Sequence, residues 1–180
     1  MAVSITRFSI DGMNLGRLRL LQMQHADALD GTDQIIVTCY NDIQKHDRLV
    51  WQDKQGIWHE HIVDEPKRSH DDEGRPTTTA TCINSIAETW DDYIVDVRPS
   101  GGVQFALERI LIGTRWTAGT CTQAASASHT FYHISVREAL QELVNVWGGE
   151  LVTSIVVDGK KVTQRIVRIV SARGNLDSPK

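Results

Sequence analysis

The stretch Asn84–Thr120, NSIAETWDDYIVDVRPSGGVQFALERILIGTRWTAGT, is where the chain changes its period. Before it, apolar and polar residues alternate as on half-buried strands. Within it, apolar residues recur every three or four positions, as on a helix. Ser85 followed by Glu88 fits a capping box, in which the serine oxygen accepts a backbone N–H and the glutamate reaches back. Ile86, Trp90, Tyr93 and Ile94 then mark one helical face, until the run turns extended and Pro99 stops it. Val103, Ala106, Leu107, Ile110 and Leu111 mark a second helix that Gly113 ends. The stretch is densely patterned and holds no evident catalytic group.

Downstream, Ser135 and Glu138 form another capping box. Val136, Ala139, Leu140, Leu143, Val144 and Trp147 make an apolar stripe, and Gly148-Gly149 breaks it. ELVTSIVVDGKKVTQRIVRIV reads as a hairpin turned at Asp158-Gly159. Residues 84–174 therefore predict an α+β domain of helices packed on an antiparallel sheet, and 175–180 a polar tail.

Upstream, QIIVTCY is a β-rich run after the turn signal Asp30–Asp33. DRLVWQDKQGIWHEHIVDE is the clearest hairpin: Leu49 and Trp51 alternate with polar residues, and Gly56 suits a turn position of positive φ. Residues 64–79, DEPKRSHDDEGRPTTT, combine charge with Pro and Gly, and read as a long exposed loop that a partner would have to order. TTTATCI resumes a strand. Residues 1–83 predict a small antiparallel barrel or sandwich.

The whole chain has 180 residues, 41% of them hydrophobic and 23% charged, which suits a globular protein able to bury a core without disulfides. No apolar run is long enough to cross a membrane as a helix. The N-terminus lacks the apolar core of a signal peptide, so synthesis and assembly in a cytoplasm are expected. Cys39, Cys82 and Cys121 are odd in number and form no CxxC, and read as reduced thiols. A net charge of −4 argues against a dedicated nucleic-acid binder, which needs a basic surface to displace counterions from phosphate.

His59, Glu60 and His61 invite a metal reading, because residues two apart in a strand share a face. The spacing is not HExxH, and a third ligand would have to come from His46 or His70 with no pattern to support it. No GxSxG elbow exposes a nucleophile. The pairs Asp71-Asp72 and Asp91-Asp92 are adjacent in sequence and read as solvated rather than catalytic. The glycine pairs at 101–102 and 148–149 lack the pattern of a phosphate loop. Trp51, Trp58, Trp90, Trp116 and Trp147 read as core or interface anchors rather than a carbohydrate platform. No residue is assigned a catalytic, cofactor-binding or metal-ligating role.

The segments DGTDQIIVT, KHDRLVWQDKQGIWHEHIVDE, NSIAETWDDYIVDVRP, ALERILIGTRWTAGT, FYHISVREALQELVNVWGGEL and RIVRIVSARG, in this order, resemble the N-terminal region of siphophage minor structural proteins. These are the tail-associated hub proteins, also called prophage tail endopeptidases or tail-associated lysins. The resemblance spans nearly the whole chain. It implies a hub at the virion tail tip, assembled in the bacterial host cytoplasm, that closes the tail tube below the distal tail ring. It implies an N-terminal β-barrel tube domain over residues 1–83 and an α+β outer domain over 84–174, as in contractile-phage baseplate hubs. The implied partners are the distal tail ring, the tail tube and the tape measure protein. The intact hub is implied to be a homotrimer whose lumen passes DNA without reading its sequence. Family members continue into a second barrel and often a lytic or receptor-binding part. Any enzymatic activity is expected there, and this chain alone is expected to be monomeric or weakly associating. A wall-degrading peptidase or glycosidase, and a carbohydrate-binding module, stand as alternatives.

Overall fold

The computed structural model describes residues 3–27, 33–158 and 161–171. The turn signal at 30–32, the turn residue Gly159 and the polar tail lie outside the described residues. The chain divides into two compact units, Met1–Ala87 with Ser154–Gln164, and Glu88–Thr153 with Arg165–Lys180.

The first unit is built from β1 (Ile5–Phe8), β2 (Asn14–Arg17), β3 (Leu20–Asp27), β4 (Asp33–Cys39), β5 (Arg48–Gln52), β6 (Trp58–His70) and β7 (Pro76–Asn84). The expected hairpin forms: β5 and β6 pair with Leu49 opposite His61 and Trp51 opposite His59. Its turn is locked by Asp53, whose carboxylate accepts the N–H groups of Gln55 and Ile57, with Gly56 at a φ of 85°. Arg48, Leu49, Val50 and Trp51 are all buried, so β5 is covered on both faces. On one face Leu49 and Trp51 join Ile5, Ile35, Val37, Val63, Ala80 and Cys82 in the main core. On the other, Val50 packs with Phe8 and Ile155, alongside Trp58, Val157 and Val162.

The ladders run β2-β1-β5-β6 and β3-β4-β7-β6, all antiparallel. Among the described residues no ladder joins β2 to β3, so the sheet is open and the expected closed barrel does not form. The cause lies at Leu18-Arg19. The Leu18 N–H donates to Ile5 O, and the next carbonyl, of Arg19, accepts from the Tyr40 N–H. Backbone hydrogen bonding thus passes from one neighbour to the other in two residues, and among the described residues β2 and β3 each pair with a strand on one side only.

Residues 64–79 are not a loop. β6 continues to His70, β7 begins at Pro76, and only the turn between them is irregular. β7 lies between β6 and β4, so ladder bonds hold a segment that has few apolar side chains. β5 stops opposite Ile62, which leaves the outer edge of β6 without a strand beyond Val63 among the described residues. That is where Pro66 is tolerated, and Glu65, Lys67 and Arg68 discourage further pairing. At the tip, the Asp71 carboxylate accepts the backbone N–H groups of Glu73 and Arg75 and the Tyr40 hydroxyl. The Tyr40 ring takes the guanidinium groups of Arg19 and Arg75, each 5.2 Å from its centroid.

The second unit holds β8 (Tyr93–Val97), β9 (Ser100–Gly102), α1 (Val103–Ile110), β10 (Thr117–Ala118), β11 (Ser126–Ser128), β12 (Phe131–Ser135) and α2 (Val136–Trp147). β13 (Glu150–Asp158) and β14 (Lys161–Val170) follow, divided between the units. The expected helices-on-a-sheet arrangement is not found. The chain is 53% strand and 16% helix, which makes it a mostly β protein. α1 and α2 pack on each other beside two short ribbons, β8 with β12 and β9 with β11. The first expected helix is a 3₁₀ segment, Ser85–Trp90, that buries Ile86 and Thr89 at the three-residue repeat of that geometry. Its capping box is not made: Ser85 Oγ is buried with no hydrogen-bond partner among the described residues. Glu88 instead accepts the Trp116 indole N–H at 3.2 Å, with Arg115 at 3.4 Å.

α1 and α2 bury the stripes expected of them, Val103, Ala106, Leu107 and Ile110 on one and Val136, Ala139, Leu140, Leu143 and Trp147 on the other. The Ser135–Glu138 capping box forms in full. Trp147 is 2% exposed and its indole N–H donates to Gly101 O at 2.9 Å. Trp147→Ala should therefore cost about 3–5 kcal/mol by leaving a large cavity, and Ser135→Ala about 0.5–2 kcal/mol by removing a cap. Urea denaturation of the two variants should show that order; an unchanged midpoint in Trp147→Ala would remove the α1–α2 contact as the core of this unit.

Candidate functional site

Strand alternation divides the HEH segment. Glu60 points to the face covered by Ile155 and Trp58, is 2% exposed, and lies 3.4 Å from Arg48. His59 and His61 point to the other face, that of Trp51. His59 stacks on the Trp51 ring at 4.6 Å and meets Asp53 Oδ2 at 3.0 Å. His61 is fully buried, with Nδ1 3.2 Å from the Trp51 indole nitrogen and Nε2 2.9 Å from Asp33 Oδ1.

Asp33 gathers more. His25 Nε2 lies 2.9 Å from the same Oδ1, and the Asn84 amide donates to Oδ2. Through one carboxylate and one imidazole the network joins β3, β4, β5, β6 and β7. Burial alone would raise the Asp33 pKa, but the hydrogen bonds from His61, His25 and Asn84 outweigh it and hold the carboxyl far below its usual range. Burial lowers the pKa of His61 against the pull of Asp33.

His25, Asp33 and His61 are the group whose ligating atoms come within 4.8 Å of one another among the described residues. The expected candidates fared differently. His61 belongs to the group, His59 pairs elsewhere, and neither His46 nor His70 joins it. His25 and Asp33 were missed because they lie in strands distant in sequence; the one available signal is the alternation of β3, which sets His25 on the side of Met23.

The donor set does not fit a metal. An indole N–H can only donate, so His61 Nδ1 must be the unprotonated nitrogen and Nε2 carries the proton given to Asp33. Binding a cation through Nε2 would move that proton to Nδ1, against the Trp51 N–H. A ligating histidine needs an acceptor at its second nitrogen, and here it meets a donor.

The other candidates are structural in their contacts. Trp51, Trp116 and Trp147 are buried and Trp58 is half-buried; only Trp90, 52% exposed, presents its ring to solvent. Asp71 is a turn lock, its pKa lowered to about 2, first by the Arg75 N–H. Burial raises the Asp92 pKa, with Glu88 and Asp91 adding to it, and its backbone carbonyl receives the Val136 N–H. Cys39 and Cys82 lie in the main core, where burial pushes the Cys82 thiol up to about 12. Gly102 caps α1 and Gly148 ends α2. A Cβ on Gly149 would come within 2.6 Å of Val170 O.

Residues 96–163 match the family described as Prophage endopeptidase tail domain. No curated protein sequence matches the chain. In fold it is similar to the tail protein from Neisseria meningitidis MC58, at 11% identity and a TM-score of 0.57 over 93% of this chain and 50% of that one. It is also similar to the 43 kDa tail protein of prophage MuSo2 from Shewanella oneidensis, at 12% identity and a TM-score of 0.51 over 92% of this chain and 54% of that one. The chain thus spans about half the length of these structures. The resemblance to prophage tail proteins read from the sequence is borne out.

Adding zinc or cobalt(II) should leave the melting temperature unchanged, and cobalt should give no visible absorption band. A saturable shift that His25→Ala abolishes would reverse the rejection of a metal.

Proposed function

We propose that this chain is a structural component of a prophage tail, acting at the tail tip as part of the hub that closes the tube below the distal tail ring. One observation carries this reading: the match to a tail domain over residues 96–163 lies within a chain whose fold follows two tail proteins over more than nine-tenths of its length. The side-chain chemistry supports it. The titratable groups that converge, His25, Asp33 and His61, spend their hydrogen bonds on one another, on Trp51 and on Asn84. Such a network holds strands together, and it activates no nucleophile among the described residues it joins. In this proposal the distal tail ring, the tail tube and the tape measure protein are the neighbours, the hub is a homotrimer, and DNA passes through its lumen without sequence-specific contacts. The chain contributes no catalysis of its own. Assembly takes place in the host cytoplasm.

Immunogold labelling of particles from an induced prophage, with antibody against this chain, should mark one end of the tail. Purified protein should release nothing from peptidoglycan. Labelling along the whole tube would move the chain out of the tip, and saturable peptidoglycan release would replace the structural reading with an enzymatic one.

A further inference from the structure

We propose that the His25–Asp33–His61–Trp51 network is an acid-released latch that holds the end of β7 to the sheet at neutral pH and lets it go on acidification.

The argument starts from proton positions. Trp51 Nε1 donates to His61 Nδ1, His61 Nε2–H donates to Asp33 Oδ1, and Asn84 donates to Asp33 Oδ2. Each of these three bonds runs in one sense only, and together they require a neutral His61. A second proton on its ring can land only on Nδ1, facing the Trp51 N–H at 3.2 Å. Two donors then oppose each other at a ring that is fully buried, so the protonated ring loses the Trp51 bond and is held by Asp33 alone, with the Trp51 N–H left without its acceptor.

The groups around His61 sharpen this. From β4 it meets the Asp33 carboxylate, which favours the imidazolium. From β3 it meets His25, with ring centroids 5.9 Å apart, and on its own strand His59, which Asp53 holds; both histidines oppose a further positive charge. β5 contributes the Trp51 donor, and β7 contributes Asn84, which is uncharged. Burial and the two histidines leave the folded pKa of His61 below that of the unfolded chain, about 6.5. The unfolded chain therefore binds more protons at mildly acidic pH. The stabilisation is present in full above about 6.5 and is lost as pH falls below it.

Release has a defined place. The side-chain oxygen of Asn84 accepts the Ile86 N–H at 2.9 Å, so one residue links Asp33 to the first turn of the 3₁₀ segment. With the Trp51 bond lost, His61 and Asp33 are no longer tied to β5 through Trp51, and the exit of β7 through Asn84 and Ile86 loses that anchor.

The test is an NMR titration of the full chain from pH 8 to 4.5, following the histidine ring protons, the Trp51 indole N–H and amide exchange at Asn84 and Ile86. His61 should stay neutral below its ordinary midpoint. As it takes a proton, the Trp51 N–H should lose protection and exchange at Asn84 and Ile86 should rise together. Trp51→Phe removes the opposing donor and should raise the His61 midpoint by about half to one pH unit. His61→Gln can accept from Trp51 and donate to Asp33 without titrating, and should abolish the acid release. An unchanged midpoint in Trp51→Phe, or release at the same pH in His61→Gln, would overturn the latch.

Discussion

Burial of the β5–β6 ladder on both faces is the constraint on which the first unit depends. A strand covered on one side alternates; Arg48–Trp51 cannot, because both sides are packed. Leu49 and Trp51 need the curl of β1, β4 and β7 around them. Val50 needs a second cover, and Ile155, paired opposite Trp58, supplies part of it. A segment about a hundred residues later in the chain is thus recruited to finish the first core. The same double burial explains the polar residues found inside. Glu60 and His61, neighbours in sequence, face opposite interiors, and each must be paired there: Glu60 with Arg48, and His61 with Trp51 and Asp33.

The second unit rests on a different device. Its β8–β12 and β9–β11 pairs are short ribbons that cannot be stable alone, and its two helices are only a few turns long. They are stable because they share one apolar contact, with the buried Trp147 tied to Gly101 at the entry to α1. Glu88 does similar work where the unit begins, drawing Trp116 and Arg115 together. Charged and polar side chains act here as fasteners between short elements. The His61 network differs from these fasteners in one respect, since its hydrogen bonds depend on the proton count of an imidazole.

Much was legible in the sequence because it is local. The capping box at Ser135 and Glu138, the stripe of α2, the stripe of α1 and the turn at Asp53–Gly56 each depend on residues a few positions apart, and each is found. The same local logic failed at Ser85. The motif was present, but Glu88 found the Trp116 indole, and a capping preference of about 1 kcal/mol yields easily to a tertiary hydrogen bond. Residues 64–79 were read as loop because their side chains lack an apolar pattern; their strand state comes from backbone bonds to β7, and through β7 to β4, which no side-chain period records.

The sequence alone therefore determined α1 and α2, the hairpin of β5 and β6 and the resemblance to prophage tail proteins, since each is written in short-range spacing or in contiguous segments. Tertiary structure alone decided that the sheet stays open at Leu18-Arg19 and that the helices pack on each other. It also decided that His25 and Asp33 meet His61. These outcomes rest on which strand lies beside which, and hydrogen bonds between residues up to 51 positions apart leave no trace in local pattern.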